Sequence, residues 1–507
     1  MTQLSRMLAL HPQDNVAIAL ADISAGEIDS VSGVKVMQSV KQGHKIAIAA
    51  ISAGQNVLRY GQTIGQATAD IAAGEHVHIQ NLGMGEHTND YAHATEAGAL
   101  AAATEERTFD GYHRADGRVG TRNYLGILTS VNCSGSVAKF IAEAAEKSGL
   151  LDDFPNIDGI VPITHGTGCG MSGENEGYDT LFRTLSGYAQ HPNFGGILLI
   201  GLGCEVMQVS ALVGGRPIRA DGALRYMTIQ QEGGTRKTIE KGLAELRSIA
   251  ELANTATRQS APVSHLMVGM QCGGSDGYSG ITANPALGVA SDLVVRHGGT
   301  TILSETSEIY GAEHLLTRRA ATVEVGEKLI DRVRWWEDYT ARNKGEMDNN
   351  PSPGNKRGGL TTILEKSLGA VAKSGSAPLT DVYLFGEKIE KKGFVFMDSP
   401  GFDPCSVTGQ IASGANLIVF TTGRGSVSGY MPTPCIKIAT NSEMYARMSD
   451  DMDINCGDIV SDGVSLEDKG REIFEMFIRI ASGGQTKSEE LGFGGVEFVP
   501  WQIGAVM

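Results

Sequence analysis

The sequence has no long uncharged apolar run. Of its 507 residues 41% are hydrophobic, yet no stretch approaches the roughly 18 consecutive apolar residues of a membrane-spanning helix. The first residues, MTQLSRMLALHPQDN, also have no apolar core followed by a small-residue cleavage site. We therefore expect a cytoplasmic protein that does not enter a membrane.

Positive charge is scarce as well. The chain has 42 lysines and arginines against 58 aspartates and glutamates, which gives a net charge of −16, and no basic run offsets it. Such a surface repels nucleic acids and anionic membranes. We expect a small-molecule substrate, and an anionic one would need a local basic pocket.

Cysteine is sparse, and the usual nucleotide motifs are missing. The seven cysteines include no close CxxC pair, and without an export signal they are thiols or metal ligands rather than disulfides. No glycine run is followed by GKS or GKT, and none completes GxGxxG with an acidic partner about 20 residues on. A nucleotide-dependent enzyme is therefore not favoured.

Glycine, in contrast, is abundant, at 66 residues. The glycines cluster after short apolar runs, a pattern typical of turns where backbone approaches a ligand closely. They also mark a weak repeat near the N-terminus, where ADISAGE, AAISAGQ and ADIAAGE occupy residues 21–27, 49–55 and 69–75. Short alternating strands between such turns predict a small all-β module over residues 1–85, followed by a partly helical linker over 86–110.

From residue 111 the pattern becomes that of parallel α/β structure. Unalternated apolar runs such as YLGILTS and GILLI lead into glycine-rich loops and then into helix-like segments. The loop DNNPSPGNKRGG predicts a division into an α/β catalytic domain, 111–345, and a C-terminal α/β domain, 346–507. The fold class is thus a β module followed by α/β domains with largely parallel sheets, which bind ligands at the carboxyl ends of their strands.

Four of these loops carry a cysteine just past a predicted strand. If the strands are neighbours in one sheet, the thiols converge and form an iron or iron–sulfur site or line an active site. The alternative is that small cysteines pack in the core beneath the glycine loops. The four residues are Cys133, Cys169, Cys204 and Cys272.

Histidines and carboxylates supply candidates for acid, base and metal ligation. His165 and Glu205 lie on neighbouring loops and suit proton transfer, although a loop histidine and a capping glutamate are the simpler interpretations. His76 and His78 form an HxH pair whose imidazoles share one face of a strand, which suits a transition metal or a solvated face. His44, in GHKIAIA, is a lone histidine, for which a structural role is the simpler interpretation without further support.

Polar residues in the later loops are candidates for binding substrate. Asp276 and Asn284 lie in QCGGSDGYSGITANP, where they cap a helix or bind hydroxyls. Asn355, Lys356 and Arg357 belong to a loop whose two cations predict a carboxylate clamp or a solvated turn. Arg424, in TTGRG after a strand, is a second anion-binding candidate.

Together these motifs resemble the altronate and galactarate dehydratase family over essentially the full chain. The residues that carry the resemblance are GHKIA at 43–47, DGRVGTRN at 116–123, HGTGCG at 165–170, GLGCE at 201–205, QCGGSDGYSGITANP at 271–285, NPSPGNKRGG at 350–359, TTGRG at 421–425 and KIATNSE at 437–443. The resemblance implies that the first module is of the SAF type, and that the activity depends on Fe²⁺ or on Mn²⁺, with an iron–sulfur cluster as an alternative.

The resemblance also implies a reaction, the loss of water from a six-carbon sugar acid, with D-altronate preferred over galactarate. Proton removal beside the carboxylate and loss of the neighbouring hydroxyl need a base, an acid and a metal. His44, His165, Glu205 and Asp276 are the predicted catalytic residues. The predicted substrate ligands are Asn284, Asn355, Lys356 and Arg424, and the predicted metal ligands are His76, His78, Cys133, Cys169, Cys204 and Cys272.

Three other interpretations stay open at this point. The chain could dehydrate another sugar acid, or it could be a sulfo-lyase that shares the proton abstraction and differs in the leaving group. It could also be a carbohydrate-binding protein without activity. A homo-oligomer is expected from its size.

Overall fold

The computed structural model describes residues 6–85, 90–214 and 222–506. The N-terminal module contains two small antiparallel sheets, ordered β1-β2-β3-β6 and β4-β5-β7. Its strands are β1 Met7–Leu8, β2 Val16–Ala19, β3 Lys45–Ala47, β4 Asn56–Arg59, β5 Gln62–Ala67, β6 His76–Val77 and β7 Leu82–Gly83. The predicted all-β module is confirmed.

Strand β2 shows how the module is attached. Its sequence alternates, yet all four of its residues are buried. Ala17 and Ala19 face the module's own core, whereas Ile18 packs against Tyr278 and Ile281 of the C-terminal domain. The second face of the module is therefore covered by the rest of the chain rather than by water.

The described part of the linker is extended and runs along the C-terminal domain. Residues 90–107 contain no helix or strand. The amide of Ala94 donates to the carbonyl of Thr317 at 2.9 Å, and that of Ala103 donates to Arg296 at 2.8 Å. The helix expected within the linker is absent from this part, because its backbone bonds to the neighbouring domain instead.

The second domain is built on a parallel sheet with the strand order β11-β10-β12-β13. Every residue of β10 and β12 is buried, which explains their unalternated sequences. The strands are β8 Thr108–His113, β9 Val119–Gly120, β10 Tyr124–Thr129, β11 Gly159–Ile163, β12 Phe194–Gly201 and β13 Leu224–Thr228, and the helices are α1 Gly135–Lys147, α2 Glu176–Ala189, α3 Val209–Val213 and α4 Thr235–Ala253.

The C-terminal domain contains a seven-stranded parallel sheet, ordered β17-β18-β16-β15-β19-β20-β21. Its strands are β15 Met267–Cys272, β16 Thr300–Ser304, β17 Leu379–Tyr383, β18 Gly393–Met397, β19 Leu417–Thr422, β20 Cys435–Ala439 and β21 Ile454–Asn455, after β14 Gln259–Pro262, which pairs with β8. The helices are α5 Ala283–Arg296, α6 Glu313–Arg318, α7 Val323–Arg342, α8 Pro353–Arg357, α9 Ile363–Ala372, α10 Asp403–Ser413, α11 Ser442–Arg447, α12 Asp458–Ser461, α13 Leu466–Ala481 and α14 Lys487–Glu490.

The division predicted after residue 345 falls inside this seven-stranded sheet. Strand β16 precedes that position and pairs with β18, which follows it. The proline- and glycine-rich segment has the composition of a linker, but it contains α8 and connects α7 to α9 within one unit. Within the described residues, no helix is both long and apolar enough to cross a bilayer.

Candidate active site

A cavity of about 360 Å³ lies between the N-terminal module and the carboxyl end of the seven-stranded sheet. This volume suits a small ligand. Loops of both parts line it, and the lining side chains are mostly charged or polar. They include Asp22, Lys41, His44, Asp276, Tyr278, Arg357, Arg424, Asn441, Glu443 and Arg447.

The cavity collects positive charge in an acidic protein. Lys41, Arg357, Arg424 and Arg447 line it, although the chain as a whole carries −16. Among the described residues, no carboxylate oxygen lies within ion-pair distance of Arg357 or Arg424, whereas Lys41 pairs with Asp22. Two guanidinium groups thus remain available for an anion, and a guanidinium binds a carboxylate through two parallel hydrogen bonds.

Backbone contact at glycines joins the module to the C-terminal domain beside the cavity. Gly43 of the module meets Gly277 in the loop after β15, and a Cβ atom added at Gly277 would lie 1.9 Å from the Gly43 carbonyl oxygen. No other residue type could stand at Gly277 without moving one of the two segments apart. Glycine at this position therefore allows the module and the domain to meet backbone to backbone, whereas the sequence pattern predicted close approach of the backbone to a ligand.

A buried ionic cluster, formed by Lys45, Arg59 and Glu365, holds the module in place. Lys45 Nζ lies 2.8 Å from Glu365 Oε2, and Arg59 Nη1 lies 2.5 Å from Glu365 Oε1. Burial opposes ionisation of Glu365, but the charges of Lys45 and Arg59 outweigh it and lower its pKa to about 2. Burial also lowers the pKa of Lys45 to about 8. Sequence analysis did not identify this cluster, although a lysine inside an apolar strand is a signal for it.

Three histidines of the module stand together beside the cavity. The ring centroids of His44, His76 and His78 are 5.0–5.3 Å apart. His44 Nδ1 is 3.0 Å from His76 Nε2, so one of these two nitrogens carries the shared hydrogen. His78 bonds through Nε2 to the Lys356 carbonyl at 2.7 Å and accepts through Nδ1 from the Ile79 amide at 2.7 Å.

These imidazoles are neutral at physiological pH. Burial lowers the pKa of His44 and of His76 to about 4, and the nearby charge of Lys45 acts in the same direction. In the unfolded chain a histidine pKa is about 6.5. The unfolded state therefore binds protons first as the pH falls.

We accordingly expect stability to fall with acidification. The stabilisation that the neutral His44 and His76 give the folded state is fully present above about pH 6.5 and is lost as the pH falls toward about 4. Urea unfolding midpoints at several pH values between these limits measure this loss of stability. A double variant with His44→Gln and His76→Gln should show a weaker decline, with His113→Gln, at an exposed position, as the control. Equal declines in all three proteins would contradict the assignment.

Asp276 lies in the wall of the cavity and is buried. Its Oδ1 accepts from the Ser279 amide at 2.9 Å, and its Oδ2 accepts from Asn441 Nδ2 at 3.0 Å. The Thr440 hydroxyl lies within 3.1 Å of both oxygens. Burial raises the pKa of Asp276 in spite of these donors. His44 and Asp276, both predicted from sequence, are thereby brought into one site from positions 232 residues apart.

The other predicted substrate ligands are used within the protein. Asn284 donates to the Gly369 carbonyl and accepts from Thr421, and it is buried. Asn355 donates to the Ser275 carbonyl and accepts from the amide of Ser352, the N-cap residue of α8. Lys356 contributes its carbonyl to His78, whereas the neighbouring Arg357 lines the cavity. Of the cations predicted to bind an anion, Arg357 and Arg424 line the cavity and Lys356 does not.

His165 and Glu205 lie in the second domain and do not line this cavity. His165 is buried, with Nε2 3.0 Å from the Thr129 carbonyl and Nδ1 accepting from the Thr167 amide. Glu205 accepts from the Gly203 amide and from the Ser130 hydroxyl. Both side chains thus shape loops of the second domain.

The cysteines do not form one set. Cys133, Cys169 and Cys204 are exposed in the second domain, whereas Cys272 ends β15 of the other sheet and is buried. The expectation that all four thiols converge is wrong, because their strands belong to two separate sheets.

Cys272 belongs to a different group of possible metal ligands. One atom from each of Cys272, Glu305 and Glu308 lies within 4.8 Å of the others, and this is the sole such group among the described residues. Glu305 Oε1 is buried without a hydrogen-bond partner, and Glu305 has a left-handed φ of 73°. One sulfur and two carboxylate donors suit iron or manganese, so these residues fit a divalent ion.

Two lysines contact this buried group. Lys373 Nζ lies 3.0 Å from Cys272 Sγ, and Lys366 Nζ lies 2.6 Å from Glu308 Oε1. Burial and the charge of Glu308 raise the pKa of nearby Asp403 to about 7. A cation entering here would compete with both ammonium groups. His76 and His78, predicted as metal ligands, belong to no such group among the described residues, and both ring nitrogens of His78 have other partners.

Three family models together match almost the whole chain. The Altronate/galactarate dehydratase SAF domain matches residues 5–85, the second domain of D-galactarate dehydratase/Altronate hydrolase matches 111–254, and the C-terminal domain of D-galactarate/Altronate dehydratase matches 263–506.

Similar proteins cover the same length. The chain is 36% identical to an altronate dehydratase of Bacillus subtilis, an alignment that covers 97% of this chain and 98% of the relative. It is 39% identical to the L-threo-forming galactarate dehydratase of Escherichia coli, over 96% and 94% of the two chains. An altronate dehydratase of Escherichia coli is 36% identical over 96% and 97%.

Proposed function

This chain belongs to the D-galactarate/altronate dehydratase family, and we propose on that basis that it removes water from a six-carbon sugar acid, with D-altronate as the preferred substrate. Two of the three relatives above are altronate dehydratases. The observation that carries the proposal is the cation-lined cavity between the module and the C-terminal domain, with His44 and Asp276 in its wall.

In this proposal the substrate carboxylate binds Arg357 and Arg424. These guanidinium groups line the cavity without a described acidic partner. A bidentate contact fixes the plane of the carboxylate and thereby presents the adjacent carbon to the opposite wall. The acidic Asp22 and Glu443, which also line the cavity, accept hydrogen bonds from the substrate hydroxyls.

Asp276 takes the proton from the carbon beside the carboxylate. A base must be ionised and yet basic enough to hold the proton that it takes. The raised pKa of this buried carboxylate makes it more basic than an ordinary aspartate. His44 is neutral and carries an N–H, which can donate to the departing hydroxyl. That N–H donates a hydrogen bond rather than its proton. The proton taken by Asp276 joins the departing hydroxide, so that water leaves and both imidazoles stay neutral.

We also propose that Cys272, Glu305 and Glu308 hold the divalent iron or manganese expected for this family. A divalent ion supplies Lewis acidity when it is bound, which stabilises negative charge on an oxygen. The polar, cation-lined cavity suits a small anionic substrate. We propose a cytoplasmic protein that binds neither nucleic acid nor membranes, on the ground of its net charge of −16. A homo-oligomer remains the expected assembly.

A substrate panel tests the function. The full chain is purified without oxygen, supplied with Fe²⁺, and assayed for 2-keto-3-deoxy acid from D-altronate, galactarate and other sugar acids, with sulfite release from sulfolactate measured in parallel. We expect iron-dependent turnover of D-altronate. Turnover of galactarate alone would reassign the substrate, sulfite release would reassign the leaving group, and sugar-acid binding without turnover would favour a binding protein.

The same assay tests the carboxylate site. Arg424→Gln should raise KM about tenfold to a hundredfold, because a hydrogen bond to a charged group contributes roughly 1.5–3 kcal/mol. Arg471→Gln, which removes an exposed arginine paired with Asp468, is the matched control. An unchanged KM in the Arg424 variant would exclude this residue from substrate binding.

A further inference from the structure

One helix, α11, forms a wall of the cavity between the module and the C-terminal domain. Asn441, the N-cap residue of α11, donates to Oδ2 of Asp276 at 3.0 Å. Met444 and Arg447 follow at intervals of three residues and also line the cavity, so one face of the helix turns toward it. Since a helix rises 1.5 Å per residue, Arg447 lies about 9 Å along the axis from Asn441.

This wall is long enough for a whole six-carbon acid. An extended chain of six carbons spans about 6 Å between its terminal carbons, because each carbon–carbon bond is about 1.5 Å long. A substrate that runs along α11, with its reacting carbon at Asp276, therefore places its last carbon beside the second half of the helix. The side chains at that far end meet the terminal group that does not react.

The cations at the far end are paired with carboxylates. Lys41 Nζ lies 2.5 Å from Asp22 Oδ2, and Arg447 Nη1 lies 4.0 Å from Glu443 Oε1. The hydrogen bond and the charge of Asp22 raise the pKa of Lys41, and the charge of Glu443 acts on it in the same direction. One ion pair belongs to the module and the other to α11, and they lie close enough to influence each other.

The reacting end of the cavity carries an excess of positive charge. Arg357 and Arg424 line it, and the described residues place no carboxylate at ion-pair distance from either guanidinium group. The lining as a whole holds four cations and three carboxylates, which leaves one net positive charge when all are ionised. That charge matches a single substrate carboxylate at the reacting end and leaves the far end balanced.

A balanced ion pair suits a hydroxyl group better than a carboxylate. A hydroxyl both donates and accepts, so it can bond to a carboxylate and to a cation that stay paired with each other. An ionised carboxylate can only accept. It would also lie beside two like charges that already occupy the nearby cations, and such repulsion is a means of rejecting a wrong ligand.

We propose that Asp22 and Glu443 select a sugar acid that ends in a hydroxymethyl group and reject a dicarboxylate. The two side chains determine specificity and take no part in the removal of water. This inference rests on the proposed function, because it assigns the class of acid that the same cavity accepts, an aldonate rather than an aldarate. The preference comes from repulsion of the second carboxylate as much as from attraction of the hydroxyl.

Two acids of the same configuration test this selection. D-altronate is compared with D-altrarate, which carries a carboxylate in place of the terminal hydroxymethyl group, and kcat/KM is measured for both with the full chain supplied with Fe²⁺. We expect the wild type to prefer D-altronate. Asp22→Asn and Glu443→Gln should each lower the ratio of the two kcat/KM values about twofold to fivefold, an effect of the size of an exposed ion pair.

Removal of a cation should have the opposite effect. Arg447→Gln leaves Glu443 without its partner and should raise the ratio by a similar factor, which a change of shape alone would not do. Glu143→Gln is the matched control, because it removes the acid of an exposed i,i+4 pair on α1 and changes the net charge equally. Melting temperatures show whether each variant is folded, and the reversed sign in Arg447→Gln gives a second result should a carboxylate variant fail to fold.

The outcomes separate this inference from the proposed function. No turnover of either acid would overturn the proposed function with D-altronate as its substrate, and this inference with it. Turnover with a wild-type preference for the dicarboxylate, or with a ratio that neither carboxylate variant changes, would overturn the selection alone. An equal change in the Glu143 variant would also overturn it, because discrimination would then depend on the net charge of the chain.

Discussion

Replacing Glu365 with alanine is expected to lower the free energy of unfolding by about 3–5 kcal/mol and to abolish turnover. Glu365 is fully buried and is the anionic partner of both Lys45 and Arg59. Its removal leaves two cations without a partner in the interior, and burial without a partner is costly. Turnover should stop because Lys41 and His44 would no longer be held in the wall of the cavity.

Urea unfolding and limited proteolysis measure this effect. The linker should be cleaved more readily in the variant, because the undocked module would leave it accessible. Glu143→Ala is the matched control, since Glu143 pairs with Lys147 on an exposed helix surface, where an ion pair contributes roughly 0–1 kcal/mol. A Glu365 variant with wild-type stability and wild-type cleavage would show that the cluster does not attach the module.

Asp276→Asn is expected to lower kcat by about 10²–10⁴ while substrate still binds, because it removes the proposed proton acceptor. In the wild type, activity should rise with pH through the pKa of Asp276, which burial places above its ordinary value. The variant should lose this acidic limb of the pH profile.

The control for Asp276→Asn is a variant that keeps the carboxylate of Asp276 and changes the surroundings of that carboxylate. Thr440→Val removes a hydroxyl that donates to Asp276, so the pKa of Asp276 should rise and the acidic limb should move to higher pH, with catalysis retained. Melting temperatures of both variants separate misfolding from lost chemistry. Full activity in Asp276→Asn would remove Asp276 from the reaction.

Local patterns predicted the elements well. The apolar runs YLGILTS and GILLI became strands β10 and β12, buried on both faces as their unalternated sequences require. The alternating sequence of β2 forms a strand whose two faces pack against different cores, the module's own core and the residues of the C-terminal domain around Tyr278. These patterns depend on neighbouring residues, which a sequence displays directly.

Long-range partners could not be predicted in the same way. Lys45 and Glu365 are 320 residues apart, and ILEKSLGAVA resembles a helix with a charged outer face. Helix α9 is instead buried along almost its full length, so its charges need partners from elsewhere. Cys272 shows the same limit, since its loop motif resembles those of the other cysteines although its strand lies in another sheet.

The division of the cavity between two parts of the chain has a thermodynamic consequence. The module supplies Lys41 and His44, while the C-terminal domain supplies Asp276 and Arg424. A substrate that contacts both walls binds the docked arrangement alone, so occupancy and docking are linked equilibria. At a concentration one hundred times Kd, the substrate would strengthen docking by about 2.7 kcal/mol. The sugar acid would then act as a clamp, and a chain with weakened docking would regain its assembled form as the substrate accumulates.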